Sequence, residues 1–174
     1  MNLVLNTGRL TLRPLSTKDL ATTHEYATDL DVTKYMIYLP NHSVQETLDF
    51  LQWCEAEWNK DQPDDYEFAI CLNGKHIGAI SLSQVEGACY ELGWVLQKSY
   101  HGNGYATEAA HELVRFATSL GAQKLIAHCD TRNIASRRVM EKLGMELVLE
   151  QDRQYLDERG AAREYEYAMA LQNC

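Results

Sequence analysis

The apolar positions along this chain change rhythm several times, and each change marks an element. Residues 3–15 alternate apolar and polar as a half-buried strand does, with Gly8 as a bend and Pro14 as its end. Ser16 or Thr17 can cap a helix over residues 18–28, with Asp19 in the favoured first turn. Ser43 caps a second helix reaching to about residue 60, in which Leu48, Leu51, Cys54 and Trp58 fall at helical spacing and form a core stripe. The segment between these helices, Tyr35-Met36-Ile37-Tyr38-Leu39-Pro40, is apolar yet loop-like, and its plain reading is core packing. After a surface turn at 61–65, two strands over 66–72 and 75–85 are joined by the hairpin dipeptide Asn73-Gly74, and a third follows at 88–96.

Beyond residue 96 the pattern becomes strand, glycine loop, helix. The run Glu91-Leu92-Gly93-Trp94-Val95-Leu96 gives way to a polar turn and to Gly102-Asn103-Gly104, after which residues 106–120 keep a helical rhythm that ends at Gly121. Glycines at such a junction let the backbone approach a ligand, and the first free N–H groups of the helix, with its dipole, favour a phosphate or pyrophosphate there. No Lys-Ser or Lys-Thr follows as a P-loop needs, and Ala106 and Thr107 stand where a dinucleotide loop would carry its third glycine. Residues 124–129 form a buried strand parallel to 88–96, because a helical crossover joins them. A helix opening near Asn133 ends at Gly144, and residues 145–151 and 163–171 make a last antiparallel pair. The order is that of a single α/β domain over 1–174, of the α+β kind, with a mixed and mostly antiparallel sheet.

Composition narrows the function. The 174 residues are 45% hydrophobic, enough for one core, and the formal net charge of −9 argues against a surface for duplex nucleic acid. Five cysteines (54, 71, 89, 129 and 174), odd in number and without Cys-x-x-Cys spacing, read as free thiols of a reducing, cytoplasmic compartment. No His-Glu-x-x-His or Cys/His cluster suggests a metal, and no stretch is long and apolar enough to span a membrane.

Residues 101–106, His-Gly-Asn-Gly-Tyr-Ala, resemble the pyrophosphate loop of the GNAT superfamily of acyl-CoA-dependent N-acyltransferases, whose pattern is Gln/Arg-x-x-Gly-x-Gly/Ala. The likeness continues through residues 105–109, at Asn133-Ile134-Ala135-Ser136 and at Glu141-Lys142-Leu143-Gly144. The opening stretch 7–15 and the closing strand 163–171 are similar to the RimJ/RimL branch, which acetylates N-termini of ribosomal proteins. The resemblance implies a GNAT-like domain in which the strands 88–96 and 124–129 splay apart and hold the pantetheine arm of acetyl-CoA, the co-substrate, like an added strand. It also implies that Trp94, Val95 and Leu96 contact pantetheine, with one backbone N–H polarising the thioester carbonyl. On the same resemblance the loop from His101 through Gly102, Asn103, Gly104, Tyr105, Ala106 and Thr107 would take the pyrophosphate, with His101 in place of the usual Gln or Arg, and Asn133 would bond the pantetheine amide.

Acyl transfer to an amine needs a deprotonated nucleophile, a polarised carbonyl and a proton for the departing thiolate. Glu91 is the first candidate for the base, with Glu67 and Tyr90 in reserve. A solvent-facing strand Glu is the competing reading. Many members of the superfamily carry the acid as a tyrosine seven residues beyond the asparagine, and here that position is Met140. Ser136 is the candidate replacement, or else only a residue of the helix start. Arg137, Arg138 and Lys142 could meet CoA phosphates, or be solvated. The expected activity is acetyl transfer to a primary amine, with a basic protein or peptide N-terminus favoured over a polyamine, aminoglycoside or amino acid, in a monomer or homodimer. The competing class is a non-catalytic acyl-CoA-binding module.

Overall fold

The computed structural model describes residues 3–38, 40–155 and 159–171; Leu39 of the apolar loop and Cys174 lie outside them. Eight strands form one sheet, β1 (Leu5–Asn6), β2 (Leu10–Pro14), β3 (Asp65–Leu72), β4 (Lys75–Glu86), β5 (Cys89–Leu96), β6 (Lys124–Asp130), β7 (Glu146–Gln154) and β8 (Ala161–Ala170), in the order β1-β2-β3-β4-β5-β6-β8-β7. The helices are α1 (Leu20–Thr28), α2 (Leu30–Thr33), α3 (Val44–Trp58), α4 (Tyr105–Ser119) and α5 (Ile134–Lys142). All neighbouring strands run antiparallel except β5 and β6. The expected α/β architecture, a mostly antiparallel sheet with one parallel pair flanked by helices, is the one observed.

The opening strand and the segment after α1 differ from the expected elements. The single opening strand is a hairpin, with Leu5 facing Leu12 and Asn6 facing Thr11. The Thr7 hydroxyl accepts the N–H of Leu10 at 2.8 Å, and the Thr7 N–H donates to the Leu10 carbonyl at 2.9 Å, closing the chain over Gly8 and Arg9. Both arms of a hairpin alternate, so alternation alone could not reveal the reversal. The second difference is α2, a single turn whose N-cap Asp29 accepts from the N–H groups of Asp31 and Val32. Asn73 and Gly74, at φ 50° and 79°, make the expected two-residue turn between β3 and β4.

The core divides between the two faces of the sheet, as strand alternation requires. One face packs Phe68, Ile70, Ile80, Leu82 and Leu92 against Ala109, Leu113 and Phe116 of α4. The other packs Ala69, Cys71 and Ala79 against Tyr26 of α1 and Leu51 and Cys54 of α3. Trp58 closes α3 by standing edge-on to Phe68 at 4.9 Å and donating its indole N–H to the Glu67 carbonyl at 2.8 Å. Truncating Phe68, which is fully buried, should cost about 3–5 kcal/mol.

The parallel pair is very short. Cys89, Tyr90 and Glu91 pair with Lys124, Leu125 and Ile126, and there the pairing stops. β5 remains on β4 out to Leu96, while β6 remains on β8 out to Asp130, so the two strands diverge from Glu91 onward. Gly78 explains how β5 is held: a β-carbon there would lie 2.2 Å from the Val95 carbonyl oxygen and 2.8 Å from the Leu96 Cα. Only glycine lets β4 approach the end of β5 so closely.

Candidate active site

The gap between β5 and β6 leaves one side of the backbone from 92 to 96 without a strand partner, a ready place for an extended ligand to add itself as a strand. Trp94 and Val95 are half-buried there and Leu96 is buried. Beyond the gap, the first helical bond of α4 runs from the Glu108 N–H to the Gly104 carbonyl at 3.0 Å. Among the described residues, no backbone N–H from 102 to 107 donates to a protein group, which leaves six donors gathered at the positive end of a 15-residue helix. Gly104 occupies the left-handed region at φ 79°, turning the chain into the helix. This arrangement fits a diphosphate.

The side chains around this loop were only partly foreseen. His101 turns back and donates its ring N–H to the Leu96 carbonyl at 2.8 Å, tying the loop to the end of β5. Arg9, which the sequence suggested only as part of a strand, lies at the hairpin turn and reaches the loop. Its guanidinium donates to the Asn103 carbonyl at 3.2 Å, to Glu108 at 2.6 Å, and stacks over the Tyr105 ring at 4.6 Å. Thr7 also donates to Glu108, at 2.5 Å. Burial would raise the Glu108 carboxyl, but these hydrogen bonds hold it below the usual carboxylate range. An open depression of about 640 Å³ adjoins the loop and is bordered by Arg9, Gly104, Thr107, His111, Arg115 and Lys142. Arg137 pairs with Glu141 one turn along α5.

Asn133 is the N-cap of α5, its side-chain oxygen accepting the Ser136 N–H at 3.1 Å. Ser136 therefore lies in the first turn, half-buried. Met140 is fully buried within the core, so no hydroxyl is presented from that position. Tyr90 points to the α4 face and packs against the core there, opposite Glu91.

Glu91 stands where the strands part. Its carboxylate bonds the His128 ring at 2.8 Å, and the other ring nitrogen lies 3.4 Å from Glu166. The hydrogen bond to Glu91, with the further negative charge of Glu164 and Glu166, raises the His128 imidazole above its usual value despite partial burial. His128 went unnoticed in the sequence because it is a lone histidine in an apolar strand, 37 residues from its partner. On the same face, Asp130 is completely buried and accepts from Tyr155 at 2.6 Å and from Arg132 at 2.8 and 2.7 Å. Its burial would raise the carboxyl, yet those donors hold it well below the carboxylate range. Arg132 lies over the Tyr35 ring, and Arg159 stacks on Tyr155 at 4.0 Å while donating to the carbonyls of Thr33, Lys34 and Met36. The apolar loop after α2 is thus moored beside the end of β6 rather than sunk in the core, and Tyr38 is 82% exposed.

Known proteins are similar to this chain in sequence and in fold. The acetyltransferase (GNAT) domain family model matches residues 9–146. An N-acetyltransferase of Bacillus subtilis, YnaD, described as uncharacterized, is 34% identical over 146 residues, 81% of each chain. Two solved structures share the fold at low identity. RimL, a ribosomal L7/L12 α-N-protein acetyltransferase in complex with coenzyme A, has a TM-score of 0.86 at 15% identity and covers 99% of this chain and 100% of its own. A Vibrio cholerae spermidine N-acetyltransferase in complex with CoA and spermine has 0.79 at 17%, covering 93% and 95%. With a splayed strand pair, a free donor loop and these matches along most of its length, the chain belongs to the GNAT family of acetyltransferases.

Proposed function

We propose that this acyl-CoA-dependent acetyltransferase moves the acetyl group of acetyl-CoA to the α-amine of a protein or peptide N-terminus, by direct attack with both substrates bound. The observation that carries the reading is the gap itself: a strand-shaped slot that ends at six free N–H donors and opens onto a face of carboxylates. The N–H groups of 102–107 hold the pyrophosphate and those within 94–96 polarise the thioester carbonyl. Asn133, its oxygen already used as a cap, has its amide N–H₂ left for the pantetheine. Arg9 acts here too, keeping the loop open by occupying the Asn103 carbonyl and neutralising Glu108 beside the phosphates.

Glu91 meets the incoming ammonium at the mouth of the gap, and Ser136 hydrogen-bonds the departing sulfur. The ammonium loses one proton to the protein, the amine nitrogen bonds the acetyl carbon, the carbon–sulfur bond breaks as the nitrogen gives up its second proton, and that proton ends on the departing CoA thiolate. The preference for an N-terminus rests on the likeness of the opening strand, Asn133-x-x-Ser136 and the closing strand to the RimJ/RimL branch, and on the fold shared with RimL. The carboxylate face would also receive a polyamine. A reducing cytoplasmic setting is favoured by the free cysteines 54, 71, 89 and 129.

The test is thiol release from acetyl-CoA against basic peptides starting with Ala or Ser, spermidine, an aminoglycoside and free amino acids. Turnover of the peptides above the rest is the expected result. Turnover confined to small amines would overturn the N-terminal preference, and saturable acetyl-CoA binding with no release from any amine would favour a binding module.

A further inference from the structure

On the face of the sheet covered by α1 and α3, the apolar packing ends at the row Ala69, Ala79 and Val95. The next row along is Glu67 on β3, Ser81 on β4 and Gly93 on β5, and the row after that is Asp65, Ser83 and Glu91. All six of these residues keep accessible surface. Beyond Gly93 there is no further strand, because β6 has already diverged, so the row runs from Glu67 straight into the gap. Ser81 is its middle position, and the row is low at the gap end, where Gly93 has no side chain and the Ser81 hydroxyl leans over it, 2.7 Å from where a β-carbon would lie. A polar trough, two strand spacings or about 10 Å long, therefore joins the Glu67 backbone to the edge of the slot.

The Glu67 carboxylate accepts no hydrogen bond among the described residues, whereas Glu91 is bonded to His128 and Asp130 to Arg132 and Tyr155. Among the described residues, the titratable groups that interact with Glu67 are neutral or negative: Tyr26 from α1, Cys54 from α3, and Asp65 on its own strand. The nearest cation on β2, Arg13, is paired with Asp19 at 2.6 Å. The Glu67 carboxylate oxygens keep contact with solvent and are left open toward the trough.

We propose that Glu67 is the group that takes the proton from the acceptor ammonium, across the trough and through the Ser81 hydroxyl or one water, while Glu91, held by His128, attracts and orients the same ammonium. The inference rests on the proposed acetyl transfer to an amine at this gap. The step balances simply: the ammonium N–H bond breaks, the proton passes to the Glu67 carboxylate, and the neutral amine keeps its electron pair for the acetyl carbon. Burial, with Asp65 adding to it, pushes the Glu67 carboxyl up to about 7, the range in which a general base works best near neutrality. Glu91 is already engaged by the His128 ring at 2.8 Å, which fixes it as the charge that orients the ammonium. Ser81 relays the proton in this scheme or holds the water that does.

The experiment compares kcat/KM against pH for wild type, Glu67→Gln, Glu91→Gln and Ser81→Ala, using the best acceptor of the amine panel. Acetyl-CoA affinity is measured by calorimetry in each. A carbon-13 NMR titration of labelled glutamates, assigned by its difference from Glu67→Gln, reads the carboxyl directly. The expected result is a limb near pH 7 that does not follow the acceptor's own pKa, and a loss of roughly 100-fold or more in kcat in Glu67→Gln with unchanged acetyl-CoA affinity. Glu91→Gln should mainly raise KM for the amine and keep the limb, and Ser81→Ala should lower kcat by less while leaving the limb in place. A limb that survives Glu67→Gln, or disappears in Glu91→Gln, overturns the assignment while leaving acetyl transfer intact. A Glu67 resonance titrating at ordinary carboxylate pH overturns it without any reference to turnover. Failure of wild type on every amine would instead fall on the functional reading.

Discussion

Replacing Glu67 by Gln should make the folded protein more stable at alkaline pH while leaving it unchanged in acid. The carboxyl sits at about 7 in the folded chain against 4.5 for an unperturbed group. As pH rises from 4.5, the unfolded chain gives up this proton first, so stability falls through that interval and levels off above 7. At about 1.4 kcal/mol per pH unit the full loss is about 3 kcal/mol, and because the residue keeps some accessible surface a realistic range is about 1–3 kcal/mol. For a chain of this length each kcal/mol moves the melting temperature by about 2–4 °C, which gives roughly 2–12 °C. Thermal unfolding of wild type and Glu67→Gln should be followed by circular dichroism from pH 4.5 to 8.5. The two curves should converge at the acid end and separate in favour of the variant between pH 5 and 7.5. A constant difference across that range would refute the reasoning, since a neutral isostere that only changes packing has no reason to follow pH.

Other consequences follow from the same geometry. Gly104→Val forces a β-branched residue to φ near +79° and crowds the diphosphate approach; acetyl-CoA affinity measured by calorimetry should drop by at least about tenfold in a protein that remains folded. Arg9→Ala frees the Asn103 carbonyl and leaves Glu108 facing the phosphates unneutralised, so acetyl-CoA should bind several-fold more weakly, and adding Glu108→Gln should recover part of the loss. Ser136→Ala should slow single-turnover transfer by no more than about 100-fold, because CoA thiolate is already a fair leaving group. For His128, whose imidazole is raised by Glu91, His128→Gln should destabilise below pH 6.5 and cease to matter as pH rises through the folded value, as judged by urea midpoints.

The features readable in the sequence are those written in local chemistry. Gly102 and Gly104 ahead of a helical rhythm announced the donor loop, Asn73-Gly74 announced its hairpin, and the helical crossover required β5 and β6 to be parallel. The features that escaped depend on register. Alternation assigned Glu91 to a face, but nothing local says that Glu67, Ser81 and Gly93 lie in one row, or that His128 stands beside Glu91. Arg9 escaped for a related reason: its role depends on a hairpin turn that brings it to a loop 94 residues away, and alternation cannot show a reversal. Nothing in the sequence singles out Gly78 within the strand 75–85; its closeness to Val95 in the structure explains why β5 stays with β4.

The most direct test of the account is a crystal structure of the protein with CoA bound. The pantetheine arm should lie between residues 92–96 and 127–130, the diphosphate on the N–H groups of 102–107, and the sulfur at the Gly93 end of the Glu67 trough. A CoA molecule seated outside the gap, with the sulfur away from Gly93, would contradict it.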